Sequence, residues 1–261
     1  MIQTSDVQMS PAEEFKIEEV TLDHPWQWVA AGWSDYKKIP VLSAIYGLMF
    51  FIASLLLTIL VFSSNSFFMV PPLTAGFFLI APILCVFLYD ASRKLESGET
   101  VSFGDTCKTC QKNPFNLVVM GLILMMVLVF WMMISNLVFA IFYSGVSLKF
   151  DDFLATLFLS GGSPAFLAAG MISGGAIALV VFTMTVISIP MLIDRDVNAF
   201  QAIATSYHAV LKNPRPMILW AAIIVMFMVI GIVTFYLSFI ISMPVIGYAT
   251  WHAYRDLVKA G

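Results

Sequence analysis

Three short polar stretches alternate along this chain with long runs that carry no charge, and each stretch ends on a lysine two residues before a proline. Counting back from Pro214, Phe200, Ile203, Tyr207 and Val210 stand at positions 14, 11, 7 and 4. Trp26, Val29, Trp33 and Tyr36 stand at the same offsets from Pro40, and Phe103, Cys107 and Cys110 at 11, 7 and 4 from Pro114. The lysines are Lys38, Lys112 and Lys212. This spacing puts one apolar stripe on one face of an α-helix. It predicts three amphipathic helices, over about 24–38, 100–112 and 197–212. Asp23 is the expected cap of the first, with Pro25 in its opening turn; Ser102 with Asp105 resembles a capping box for the second; Asp196 or Asn198 would cap the third.

Each helix leads into an apolar run. Ile39 to Tyr89 carries no charge over 51 residues, enough for two spans of about 20. The spans are expected near 41–62 and 70–89, with Ser63 to Ser66 and Pro71-Pro72 marking the reversal. Asn113 to Leu148 fits one long span, about 115–143. After Lys149, Asp151 and Asp152, residues 153–160 are expected on the membrane surface and 165–191 across it. Gly170, Gly174 and Ala178 recur every four residues and predict a close helix approach. Pro216 to Tyr254 predicts two further spans with a tight turn near Thr234–Ser238. The alternative is one span followed by a re-entrant segment broken at Pro244. Pro82, Pro190 and Pro244 are the expected kinks.

The expected fold is therefore an all-α membrane protein. Its six transmembrane helices fall into three parallel repeats, about 23–89, 100–193 and 197–256, each an interfacial amphipathic helix plus two spans. Residues 1–22 read as a disordered acidic tail ahead of a single domain, 23–261, and no signal peptide is visible. Composition agrees: 60% of the 261 residues are hydrophobic and 11% are charged, against about 25% charged in soluble domains. The net charge of −3 gives no basic surface for nucleic acid. Twelve of the 13 Lys and Arg residues fall on one side of a six-span path, with Lys149 alone on the other. The positive-inside rule makes that side cytoplasmic, with both termini and the amphipathic helices there.

Candidate chemistry gathers at that side. Asp90, Asp194 and Asp256 each follow a repeat's second span, with Arg93, Arg195 and Arg255 close by. Three such clusters converging would form a polar ring. Asp194-Arg195-Asp196 also suits an ion pair that caps a helix. His252 and Arg255 lie one helical turn apart, flanked by Trp251 and Tyr254. They suit an aromatic and basic interfacial belt, or a contact to lipid phosphate or substrate. Cys107 and Cys110 lack the second ligand pair a structural zinc site needs, with His208 the one further candidate, and lack the βαβ setting of a redox dithiol. They occupy positions where the sister helices carry Trp33 and Tyr36, or Tyr207 and Val210, so packing explains them. No metal or other cofactor is expected. Catalytic motifs are not seen, and no Asp, Glu, Lys, Arg or His lies in the middle of a span, where ion-coupled transporters place them.

The stretch Met243-Pro-Val-Ile-Gly-Tyr-Ala-Thr-Trp-His-Ala-Tyr-Arg-Asp256 resembles the signature of a mainly proteobacterial family of predicted integral membrane proteins of unknown function. Ile189 to Asp196 and Leu211-Lys-Asn-Pro214 resemble the same pattern. The resemblance implies an inner-membrane protein and no mechanism. Some relatives carry a label as cytochrome oxidase subunit I. That role needs several histidines within the spans, and this chain has only His24, His208 and His252, all near the interface.

The expected function is that of a non-enzymatic membrane component. It would act as an accessory, assembly or scaffold subunit through helix and lipid contacts, with the bilayer and other membrane proteins of a larger complex as the expected partners. The alternative is a permease, channel or lipid-moving protein for a neutral or lipidic substrate, using backbone at the three kinks.

Overall fold

The structure, a computed structural model, describes residues 15–63, 70–102, 104, 113–142 and 163–259. A two-residue strand β1 (Lys16–Ile17) precedes α1 (His24–Lys38) and α2 (Pro40–Ser63). Then come α3 (Val70–Leu84), α4 (Val86–Glu96), α5 (Pro114–Phe142), α6 (Ser163–Thr185) and α7 (Ser188–Asp194). The chain continues through α8 (Ala199–Lys212), α9 (Pro214–Val233), α10 (Phe239–Leu257) and β2 (Val258–Lys259). Among the described residues five stretches are long and apolar enough to cross a membrane: Pro40–Leu60, Gly76–Glu96, Pro114–Phe142, Pro164–Asp194 and Pro214–Val233.

The Lys-x-Pro junctions are breaks with a steric cause. A residue before proline is disfavoured in the helical region, while proline itself is well suited to a helix's first turn. Ile39 accordingly sits at φ −131°, ψ 57°, between α1 and Pro40, and Asn213 at φ −122°, ψ 52°, between α8 and Pro214. The two junctions have nearly the same backbone. Asn198 caps α8, accepting from Gln201 N–H at 2.8 Å. Asp23 stands at the cap position of α1 but makes no side-chain cap bond.

The centre of the fold is α10. Trp251, Tyr248, Tyr254 and Phe239 are buried along it, and α1, α2, α4, α7 and α9 pack around it. Two glycines let backbone meet backbone. A Cβ at Gly32 of α1 would lie 2.5 Å from Val245 O, and one at Gly47 of α2 would lie 2.0 Å from Ile240 O. The second contact has a partner in sequence. Pro244 has no N–H to give to the carbonyl four residues back, which is that of Ile240. The helix is continuous through Pro244, so the expected break at this site is absent.

The expected turn near Thr234–Ser238 is present. Phe235 and Tyr236 both adopt positive φ, 50° and 67°, which costs on the order of 1–3 kcal/mol at each non-glycine residue. Tyr236 is held there by its own N–H to Gly231 O (2.6 Å) and by its hydroxyl on Thr58 Oγ1 (2.9 Å). The chain also breaks at Val186-Ile187, at the carbonyl with which the Pro190 ring would clash. The break near Pro82 falls three residues later, at Cys85.

Several expectations are corrected. From Phe15 onward the leader is ordered, not a disordered tail to residue 22. Lys16 pairs with Lys259 and Ile17 with Val258 in an antiparallel ladder. Lys212 Nζ donates to Ile17 O (2.7 Å), and the Asn213 side chain bonds Val20 N (2.8 Å) and Glu18 O (3.0 Å). Among the described residues the Gly170-x-x-x-Gly174 stripe brings no helix backbone close: none lies within 4 Å of a Cβ at Gly170, and Gly174 meets the ring of Trp131 at 3.0 Å. The second amphipathic helix with Phe103, Asp105, Cys107 and Cys110, the reversal at 64–69 and the surface segment 153–160 lie outside the described residues.

The apolar stripes are split: Val29, Tyr36, Ile203 and Val210 pack partly buried on the core, and the rest points outward. Trp26 and Trp33 on α1 are exposed, and so are Phe200 and Tyr207 on α8. The buried faces are Pro25, Trp28, Gly32 and Asp35 on α1, and Ala199, Ala202, Ser206 and Ala209 on α8. Counted from their prolines, both helices bury offsets 15, 12, 8 and 5 and expose offsets 14 and 7.

Candidate functional site

The buried face of α1 carries one charge. Asp35 lies one helical turn after Gly32, where α1 crosses α10, and is only 2% exposed. A carboxylate taken out of water must be paired and hydrogen-bonded. Three donors from three helices supply this. His252 Nε2 of α10 bonds Asp35 Oδ2 at 2.8 Å, and Ser92 Oγ of α4 bonds the same oxygen at 2.7 Å. Lys38 Nζ, one turn on in α1, bonds Oδ1 at 2.8 Å. Burial pushes the Asp35 carboxyl up, but the bonds from His252, Lys38 and Ser92 together outweigh it and hold the group below its ordinary value. The serine bonds the carboxylate, not the imidazole, so the trio is not a nucleophilic triad.

A second network lies over the end of α10. Arg255 bridges helices: its guanidinium meets Glu96 Oε1 of α4 at 3.0 Å and Asp194 Oδ2 at the end of α7 at 3.6 Å. Tyr254 OH donates to Asp194 Oδ2 (2.7 Å) and accepts from Arg195 Nε (2.9 Å). The Arg195 guanidinium also sits 4.9 Å from the ring centre of Phe15, a cation–π contact that fixes the leader. Two indoles hold carboxylates: Trp251 Nε1 donates to Glu96 Oε2 (2.9 Å) and Trp28 Nε1 to Asp256 Oδ2 (2.8 Å). On α4, Asp90 pairs with Arg93 (2.8 Å) and Lys94 (3.5 Å).

These pairs differ in strength. Asp35 and Asp90 are buried, so removing a partner from either leaves a costly uncompensated charge. Arg255 and Glu96 are each 40% exposed, and such pairs contribute about 0–1 kcal/mol. The inner pairs secure the helix ends, while the outer pair can exchange partners at little cost.

Between these groups opens a groove of about 400 Å³, lined by Gln27, Trp28, Ala31, Glu96, His252, Arg255, Asp256 and Lys259. His252 presents its ring to the groove while Asp35 holds its Nε2 from behind. Among the described residues no three His, Cys, Asp or Glu side chains are placed to hold a metal ion.

Of the residues singled out by sequence, Asp194, Arg195, His252, Arg255 and Asp256 meet at this end of the bundle. Asp90 and Arg93 pair with each other one turn before Glu96. His208 stands apart, exposed on α8 against the ring of Tyr207, and Asp196 is exposed beyond α7. The sequence pattern does not mark Asp35, Ser92 or Glu96; Trp28, whose ring is expected at the bilayer interface with those of Trp26, Trp33 and Tyr36, is instead buried and bonded to Asp256. The available signal was the break in pattern at Asp35, where the sister helix α8 carries Ala209 at the same offset.

Comparison with curated proteins finds no match. Comparison with solved structures also finds none. The matched family stretch runs from just before α3 to the end of α7 and stops short of the C-terminal helix. Over residues 69–194 the chain matches the family model described as predicted integral membrane protein (DUF2189), the uncharacterised membrane family that its sequence pattern resembles.

Proposed function

We propose that this is a non-enzymatic inner-membrane component that works by contact, as an accessory, assembly or scaffold subunit, through the charged end of its bundle and its two outward-facing amphipathic helices. The reading takes α10 as a sixth span, returning from the turn at Thr234–Ser238, with both termini cytoplasmic. It takes the chain as three parallel repeats. The matched buried and exposed offsets of α1 and α8, and their matched proline junctions, support the repeat.

One observation carries the proposal: α1 and α8 turn bulky side chains away from the bundle beside rows of lysine and arginine. Trp26, Trp33, Phe200, Tyr207 and Leu211 are exposed, next to Lys37, Lys38, Lys212 and Arg215. Rings with one wet edge and cations beside them suit the headgroup level of a membrane. The transport alternative draws less support. A space in the core, between Ser54, Leu57, Thr58, Phe77, Phe78 and Tyr236, holds about 10 Å³, room for about one water.

The test is extraction of the tagged protein from its native membrane in a mild detergent, with mass spectrometry of what accompanies it. The expected result is a partner at fixed stoichiometry whose retention falls when Phe200 and Tyr207 are replaced by serine. A protein that purifies alone and conducts solute in liposomes would overturn the reading.

A further inference from the structure

The groove at the end of α10 has a charge pattern that selects a ligand class. Four of its lining residues are ionic: Glu96 and Asp256 are anions, Arg255 and Lys259 cations. Their formal charges cancel, so neither a simple anion nor a simple cation is well matched, while a zwitterion is.

Glu96 and Arg255 pair with each other, which leaves Asp256 and Lys259 as the charges open to a ligand. Asp256 Oδ2 takes the indole N–H of Trp28, and no cation pairs with this carboxylate among the described residues. Glu96, by contrast, already holds Arg255. Asp256 is thus the acceptor left for an ammonium group. Among the described residues Lys259 Nζ bonds only the carbonyl of Arg255, at 2.7 Å, which leaves two of its three N–H groups to give. The outer face of Arg255, in a half-exposed pair of small net worth, can turn to the same anion. His252, anchored by Asp35, has its second ring nitrogen, Nδ1, without a bond to any described residue. The wall next to Asp256 is Gln27 and Ala31 of α1, one helical face away from the exposed Trp26. The groove therefore opens beside the face read above as lying at headgroup level.

We propose that this groove binds a phosphate ester that carries a primary ammonium, as in the headgroup of an aminoethyl phospholipid. The ammonium donates to Asp256, and the phosphate oxygens accept from Lys259 and Arg255. Quaternary ammonium headgroups lack the N–H donors and bind more weakly. The inference rests on the reading of this end as the headgroup level, which fluorescence quenching of Trp26 and Trp33 (below) tests separately.

The experiment is native mass spectrometry of the intact protein in detergent, titrated with phosphatidylethanolamine, phosphatidylcholine or phosphatidylglycerol. Soluble glycerophosphoethanolamine serves as competitor. The expected result is retention of phosphatidylethanolamine about tenfold above phosphatidylcholine, the worth of one charge-assisted hydrogen bond. Asp256→Asn keeps an acceptor for Trp28 but removes the charge, and should erase that preference while melting like the parent. Lys259→Gln, at an exposed site, should weaken all three lipids. Competition by the soluble compound identifies the headgroup as the ligand. Binding of the soluble compound with no lipid preference assigns the same site to a free metabolite. Equal retention of the first two lipids, or an unchanged preference in Asp256→Asn, with no binding of the soluble compound, overturns the proposal.

Discussion

Asp35 and His252 are 217 residues apart in the chain and 2.8 Å apart in the fold. Their bond is the point at which the first amphipathic helix is tied to the central one. Asp35→Asn and His252→Ala should each lower the melting temperature in detergent, by the equivalent of about 1–3 kcal/mol for an unsatisfied buried group. His252→Gln keeps an N–H donor and should cost less. Equal melting of all three variants and the parent would show that the bond contributes nothing.

The pH response follows from the same carboxylate. Its value in the fold lies below that of the unfolded chain, about 3.9. A depressed acid stabilises the fold fully above its unfolded value and loses that contribution as pH falls through the folded one. The stability difference between the parent and Asp35→Asn should therefore hold from about pH 5 upward and shrink only below about pH 4. Thermal unfolding of both proteins across that range is the measurement.

Backbone contact at Gly32 and Gly47 leaves no room for a methyl group. Gly32→Ala and Gly47→Ala should destabilise by about 1–3 kcal/mol, as overpacking does when neither neighbour can yield. Gly121→Ala and Gly170→Ala face open space and should be neutral or gain up to about 1 kcal/mol from helix propensity. Losses at the latter two as large as at Gly32 would contradict the packing.

Lipids brominated near the headgroup should quench the fluorescence of Trp26 and Trp33, which are exposed, and spare Trp28, Trp220 and Trp251, which are buried. The double variant Trp26→Phe, Trp33→Phe should lose most of the quenching. Quenching that survives the double variant would place these helices away from the bilayer.

Cysteines at Thr234 and Lys259 report whether α10 crosses. Thr234→Cys in the tight turn and Lys259→Cys beside the charged end should label from opposite sides of sealed vesicles. Labelling from one side would return the count to five spans.

The helix boundaries were readable because they rest on local chemistry. Proline disfavours helix at its predecessor, asparagine caps, and a tight turn is expected within 39 uncharged residues. The direction of each amphipathic face was not readable from the apolar stripe. Lipid is as apolar as a protein core, so in a membrane protein bulky residues do not mark the inside. The small residues do: Ala199, Ala202, Ser206 and Ala209 line the buried face of α8. The polar site was half legible. His252, Arg255 and Asp194 stand out locally, but their partners Asp35 and Glu96 belong to other helices, and only the folded chain brings them together.

The central position of α10 also sets an order of assembly. Every helix that packs on it precedes it in the chain. Emerging from a ribosome, α1, α2, α4, α7 and α9 are made before their common core exists. Asp35, Glu96 and Asp194 wait without the donors that α10 brings. A chain stopped before Phe239 would lack the helix on which these five pack. Completion of the fold and pinning of the leader by β2 then become one late event.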